Sequence, residues 1–140
     1  MKSIRNMKKD RVLEAMVLPA LARGGFKVKQ HQNIGKRPSG RSLYADIVAE
    51  KEGTKNVISL IWRQVSGPAE QKVPYEIICL VHAIKDSKEY KRAYLVLGGV
   101  GWTLRDFYLG NELREYLSYD SELTILSLER FISVANNGKL

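Results

Sequence analysis

Between Asp46 and Glu76 the chain gathers the side chains best able to do chemistry together. Asp46 lies in an alternating run, Arg63 ends the next apolar run, and Glu70 and Gln71 form an acid–amide pair where a third apolar segment begins. Oxygen donors brought from two strands and a helix to one sheet edge are what a hard divalent cation takes. A carboxylate on a mostly apolar strand is costly without a partner. Asp46 therefore has two readings: a metal site shared with Glu50 or Glu70, or a salt bridge to Arg63.

The elements that must position these residues follow from periodicity. Val12, Leu13, Met16, Val17, Ala20 and Leu21 recur at helical spacing, with Asp10 as the N-cap and Gly24–Gly25 as the stop. Pro19 falls inside this pattern and should kink or divide the helix near Leu18. Phe26 to Gln32 alternates as a half-exposed strand, with Lys27 and Lys29 on its solvent face, and Asn33 to Ser42 reads as a loop carrying Lys36, Arg37 and Arg41. Leu43 to Glu50 is a second strand, with Tyr44, Asp46, Val48 and Glu50 on one face. A turn at 51–54 leads to a third, antiparallel strand, Asn56 to Gln64, with Val57, Ser59, Ile61 and Arg63 on one face.

Ser66-Gly67-Pro68 breaks that strand, and the helix after it starts irregularly near Ala69 or regularly at Pro74, running to Lys85. Ala93 to Leu97 reads as a buried strand, Thr103 to Leu117 as a helix, Leu123 to Leu126 as a short strand and Leu128 to Ala135 as a terminal helix. The glycine cluster of GGVGW lacks the Lys-Ser/Thr of a phosphate loop and reads as a tight turn. The expected fold is a single α/β domain over residues 1–140, a central mixed β-sheet flanked by helices, with residues 1–10 as a basic N-terminal arm.

Composition excludes several classes. One cysteine, Cys79 in an apolar run, and two histidines, His31 and His82, give neither an internal disulfide nor a Cys/His zinc site, and Cys79 reads as a buried inert thiol. No run is long enough to span a membrane, and the polar N-terminus lacks the apolar core of a signal peptide, so a cytoplasmic protein is expected. Charge is unevenly spread. Residues 1–42 hold 11 Lys/Arg against 2 Asp/Glu, whereas residues 43–140 hold 12 against 13. A basic first third fits salt-dependent binding to a polyanion such as DNA or RNA, or simply a solvated basic surface. Trp62 and Trp102 read as core residues before base-stacking platforms.

The order of elements from Asp10 to Phe107, with Asp46 on the second strand, resembles the PD-(D/E)XK nuclease superfamily, the restriction-endonuclease-like fold. Small restriction-type nuclease domains and archaeal Holliday-junction resolvases are the similar members. The resemblance implies a DNA endonuclease using Mg²⁺ or Mn²⁺, with Asp46 as a metal ligand and Glu14 as an acid on the first helix. Gln71-Lys72-Val73-Pro74-Tyr75 matches a QxxxY pattern of one branch. The family's third strand carries an acid and, two residues on, a lysine; here Ser59 and Ile61 stand there. The second acid would then be Glu70, or else Glu76, and the missing positive charge would come from Arg63 or Lys72. Arginine is always protonated and makes a poor base. The resemblance thus implies Asp46 and Glu70 as metal ligands, with Gln71, Arg63 and Glu14 beside them and DNA held by Lys36, Arg37, Arg41, Lys27 and Lys29. Members of this family often act as a homodimer. The alternative is a non-catalytic DNA-binding protein or inactive subunit, for which Ile61 is the argument.

Overall fold

Pro19 shapes the first helix, α1, by the means a missing N–H allows. Residues 9–12 are helical, Leu13–Val17 form a π-helical stretch and Leu18–Arg23 continue as α-helix. The Leu18 amide bonds back to the Leu13 carbonyl, one residue further than in an α-helix, so the ladder shifts register just before the proline and the helix is widened instead of broken. The computed structural model describes residues 9–119 and 121–140. Of the basic arm expected over residues 1–10, only Lys9 and Asp10 fall inside that range. Both are already helical, so Asp10 is not the N-cap.

Five strands form one sheet in the order β1-β2-β3-β4-β5: β1 Lys27–Lys36, β2 Ser42–Lys51, β3 Thr54–Trp62, β4 Arg92–Gly98 and β5 Leu123–Ser127. The first three pair antiparallel and the last two join in parallel, so the sheet is mixed as expected. Glu52 and Gly53, both with positive φ, close the β2–β3 hairpin. A 3₁₀ turn, Pro68–Lys72, leads into α2, Val73–Asp86, so both expected starts of this helix occur in series. The expected helix from Thr103 to Leu117 is instead a short α3, Arg105–Leu109, and a 3₁₀ turn, Glu112–Glu115, separated at Gly110. Helix α4, Leu128–Asn136, is capped by the Ser127 side chain, which accepts from the Arg130 amide at 3.2 Å.

Each face of the sheet has its own core. On one side α1 and α4 bury Leu13, Val17, Leu21 and Phe131 against Ile47, Ile58, Leu60 and Val96. On the other, α2 and α3 bury Ile77, Leu80 and Tyr108 against Leu43, Val57, Leu95 and Leu97. Cover on both faces explains the near-continuous apolar content of β3 and β4. Among the described residues no helix is long and apolar enough to cross a membrane.

Two strands differ from their expected limits for reasons that bear on the site. Strand β1 runs on to Lys36, with a register shift between Asn33 and Gly35, so the basic loop is reduced to residues 37–41. Strand β3 ends at Trp62, and Arg63 bonds to the end of β4 and to the loop after it. Its amide donates to the Gly98 carbonyl at 3.0 Å, and its carbonyl accepts from the Gly101 amide at 2.8 Å. The loop GGVG is therefore a clasp. A Cβ on Gly99 would overlap the Arg63 carbonyl and one on Gly101 would overlap the Val65 backbone, so the tight turn read from sequence also locks the ends of β3 and β4 together.

Candidate active site

The site forms where β2 and β3 part. Their ladder runs from Lys51 opposite Thr54 to Ile47 opposite Ile58 and then ends, one residue short of Asp46. On the other side of β2, His31 takes a left-handed backbone, φ 53°, level with Asp46, and the β1–β2 pairing skips that position. With β2 turned away, the Leu60 amide has no strand carbonyl to meet. The Asp46 carboxylate takes its place, Oδ2 accepting from Leu60 N–H at 2.7 Å. Asp46 Oδ1 lies 3.1 Å from the ammonium of Lys9 on α1, so the partner of this carboxylate is Lys9 and not Arg63.

A cleft of about 510 Å³ opens beside this carboxylate. Asp46, Tyr44, Ser59, Ile61, Trp62 and Arg63 come to it from the two strands and the end of β3, Lys9 from α1, Arg37 from the β1–β2 loop, and Ala69, Lys72 and Glu76 from the 3₁₀ turn and α2. Four cationic side chains thus face two carboxylates. Arg37 Nη1 lies 3.6 Å from Glu76 Oε2 and donates to Cys79 Sγ at 3.3 Å. Burial disfavours the Arg37 charge, but Glu76 and Cys79 outweigh it and hold its proton more tightly than usual. Arg63 is 6% exposed, donates from Nη2 to the Val65 carbonyl at 3.2 Å, and leaves Nε without a partner.

Glu70 is elsewhere. It is buried, and both its oxygens are used: Oε1 accepts from the Thr103 and Leu104 amides at 2.7 and 2.9 Å, and Oε2 from the Thr103 hydroxyl at 2.6 Å. These are the amides just ahead of α3, so Glu70 caps that helix from a distant part of the chain. Burial opposes its ionisation, but the Thr103 hydroxyl, the two amides and the charge of Arg63 prevail and hold its pKa below the ordinary value. Its main-chain carbonyl accepts from the buried Tyr108 hydroxyl at 2.7 Å. Glu70, expected to share a cation with Asp46, thus has both oxygens bonded to Thr103 and Leu104 and does not line the cleft. Its lone pairs point into a capping site, and the carboxylate in the cleft is Glu76.

The other expected residues divide in the same way. Arg63, Arg37 and the Ser59–Ile61 pair line the cleft. Gln71 is exposed and lines a separate hollow with Glu70 and Thr103. Glu14 is exposed on the π-helical stretch, so α1 presents a lysine and no acid to Asp46. Lys27 and Lys29 line a third hollow with Glu50 and Lys55, which also removes Glu50 from the neighbourhood of Asp46. Lys36 and Arg41 flank Arg37 on the exposed hairpin end, and the Lys36 carbonyl accepts from Nδ1 of His82 at 3.0 Å. Cys79 is buried, as expected. Trp102 packs against the core and donates to the Gly98 carbonyl, while Trp62, also partly in the core, reaches the cleft. Lys9 is the residue that sequence reasoning missed. It stands three and four positions before the buried Val12 and Leu13, a spacing that continues the inward stripe of α1.

Comparison with known proteins agrees with this architecture. No curated protein matches the chain. Among solved structures, a crystal structure of a protein of unknown function, AF1548, aligns with a TM-score of 0.48 at 15% identity, covering 79% of this chain and 54% of that one. This chain thus spans about half the length of that protein. A family model for a PD-(D/E)XK nuclease superfamily domain matches residues 5–139, nearly the whole sequence. On that match the chain, whose mixed five-stranded sheet is covered by helices on both faces, belongs to the PD-(D/E)XK nuclease superfamily.

Proposed function

We propose that this domain is a DNA endonuclease that hydrolyses phosphodiester bonds with Mg²⁺ or Mn²⁺. The observation that carries the reading is Asp46, fixed by the Leu60 amide at the mouth of a cleft in which cations outnumber carboxylates four to two. Such a cleft attracts a polyanionic backbone while keeping one anchored carboxylate for a cation.

The donor set suits magnesium in one respect. Among the described residues no three acidic, histidine or cysteine side chains cluster as a cage. Magnesium needs only one or two carboxylates and keeps several waters. That Asp46 already holds an ammonium supports reading it as a carboxylate open to a cation. Asp46 and Glu76 would hold the ion. When bound, it would supply Lewis-acid charge and lower the pKa of a water. Arg63, its main chain clasped by Gly98 and Gly101, offers a rigid guanidinium for charge developing on the phosphate, and Lys72 adds a mobile one. Glu70 ties the 3₁₀ turn that carries Ala69 and Lys72 to the segment ahead of α3, and Gln71 and Glu14 carry no step in this reading. Arg37, with Lys36 and Arg41 beside it, meets the DNA backbone. Cutting both strands would take a homodimer.

The test is incubation of the purified protein with supercoiled plasmid and with branched DNA, in Mg²⁺, Mn²⁺ or EDTA, beside Asp46→Ala. Metal-dependent nicking that falls by about a hundredfold or more in Asp46→Ala is the expected result. A second reading, a DNA-binding protein that does not cut, draws on Ile61, an aliphatic side chain lining the cleft where the family places its lysine. Salt-sensitive binding with no cutting in any metal would favour it, and gain of nicking in Ile61→Lys would then decide whether that residue is the reason.

A further inference from the structure

The contact between Lys9 and Asp46 has no place in the chemistry above, yet it occupies the carboxylate on which that chemistry rests. Lys9 Nζ is 3.1 Å from Asp46 Oδ1, while Oδ2 is tied to the Leu60 main chain at 2.7 Å. One partner is therefore fixed by the sheet. The other is an ammonium on a four-carbon stem at the N-terminal end of the described part of α1. Its side chain is 32% exposed against 16% for Asp46, so Lys9 is the member of the pair that can leave into water.

Its aim is set by the irregular helix. The π-helical turn adds one residue between Lys9 and the part of α1 that follows Pro19, rotating the N-terminal end by about 100° relative to a uniform α-helix. The local re-registration forced by Pro19 thus bears directly on where Lys9 points. The carboxylates that line the cleft are Asp46 and Glu76, and Glu76 is engaged by Arg37.

We propose that Lys9 is an exchangeable internal counter-ion for Asp46, which a divalent cation must displace in order to bind. In the free protein the ammonium neutralises a partly buried carboxylate. A divalent ion on the same oxygen would meet like charge at contact distance, so the two occupants exclude one another and Lys9 weakens the site for the metal. The inference rests on the reading of Asp46 as a metal ligand, and it concerns affinity, not the cleavage step.

Isothermal titration of Mn²⁺ into the full chain tests it, with Lys9→Met and Asp46→Asn beside the unaltered protein and circular dichroism to verify folding. Lys9→Met should bind Mn²⁺ about fivefold more tightly, the scale of losing one partly exposed ion pair, and Asp46→Asn should abolish that binding. Equal or weaker affinity in Lys9→Met, with binding still lost in Asp46→Asn, overturns the exchange while leaving the metal reading standing. No Asp46-dependent Mn²⁺ binding in any form overturns both.

Discussion

Glu70 shows how a carboxylate at a promising position in sequence can be committed to architecture. It accepts three hydrogen bonds from Thr103 and Leu104 and has no solvent to fall back on. Glu70→Ala would remove the acceptor of the Thr103 and Leu104 amides and of the Thr103 hydroxyl, and should cost about 1–2 kcal/mol in urea denaturation. The pH dependence has a definite sign. Because the folded-state pKa is held below the ordinary 4.5, the unfolded chain takes up the proton first as pH falls. The stabilisation is complete above 4.5 and is lost as pH drops below it through the lower folded value. Melting curves between pH 7 and pH 3 should therefore show a shallower acid loss for Glu70→Gln than for the unaltered chain. Nothing in the sequence pairs Glu70 with Thr103, 33 residues away. Local spacing places acids on elements but does not say which distant helix end needs an acceptor.

At the scale of elements, the two ends of β3 and β4 behave as one part. The clasp of Gly98 to Gly101 around Arg63 leaves no room for a side chain at 99 or 101, and Gly99 also has φ 94°. Gly99→Ala should destabilise the fold by about 2–3 kcal/mol, measured as a shift of the urea midpoint with unchanged slope. This is where sequence reading did well and where it stopped. The strands and the mixed sheet follow from alternation and turn residues, and Asp46 lies on the second strand as its alternation requires. The glycine cluster was read correctly as a turn, but its grip on Arg63 depends on a register between parallel strands that no local pattern encodes. Likewise Pro19 signals a defect in α1, while the π-helical answer to it, and with it the aim of Lys9, depends on packing against the sheet.

For the whole molecule, the basic side chains of the first third do not collect in one place among the described residues. Arg37 and Lys9 reach the cleft, whereas Lys27 and Lys29 line a hollow with Glu50 and Glu89, on an edge strand where charge discourages pairing with other sheets. On the proposed reading the cations of the cleft, Lys72 among them, touch DNA and those of the edge strand do not. Lys72→Ala, at the cleft, should reduce the slope of log affinity against log salt by about 0.9, the loss of one phosphate contact. Lys29→Ala should leave the slope unchanged, and fluorescence anisotropy with a labelled duplex at several salt concentrations would separate them.

The parting of β2 from β3 carries one more consequence. The Leu60 amide faces the side that β2 has left, so Trp62, two residues on with the same alternation, turns its main-chain groups there too, beyond the last β2 pair at Ile58. Part of the cleft is thus lined by the edge of a strand, made of peptide groups common to every amino acid, one of them already taken by Asp46. Alanine scanning would leave these groups intact, and a map of the cleft drawn only from side-chain substitutions would omit the main chain that lines it.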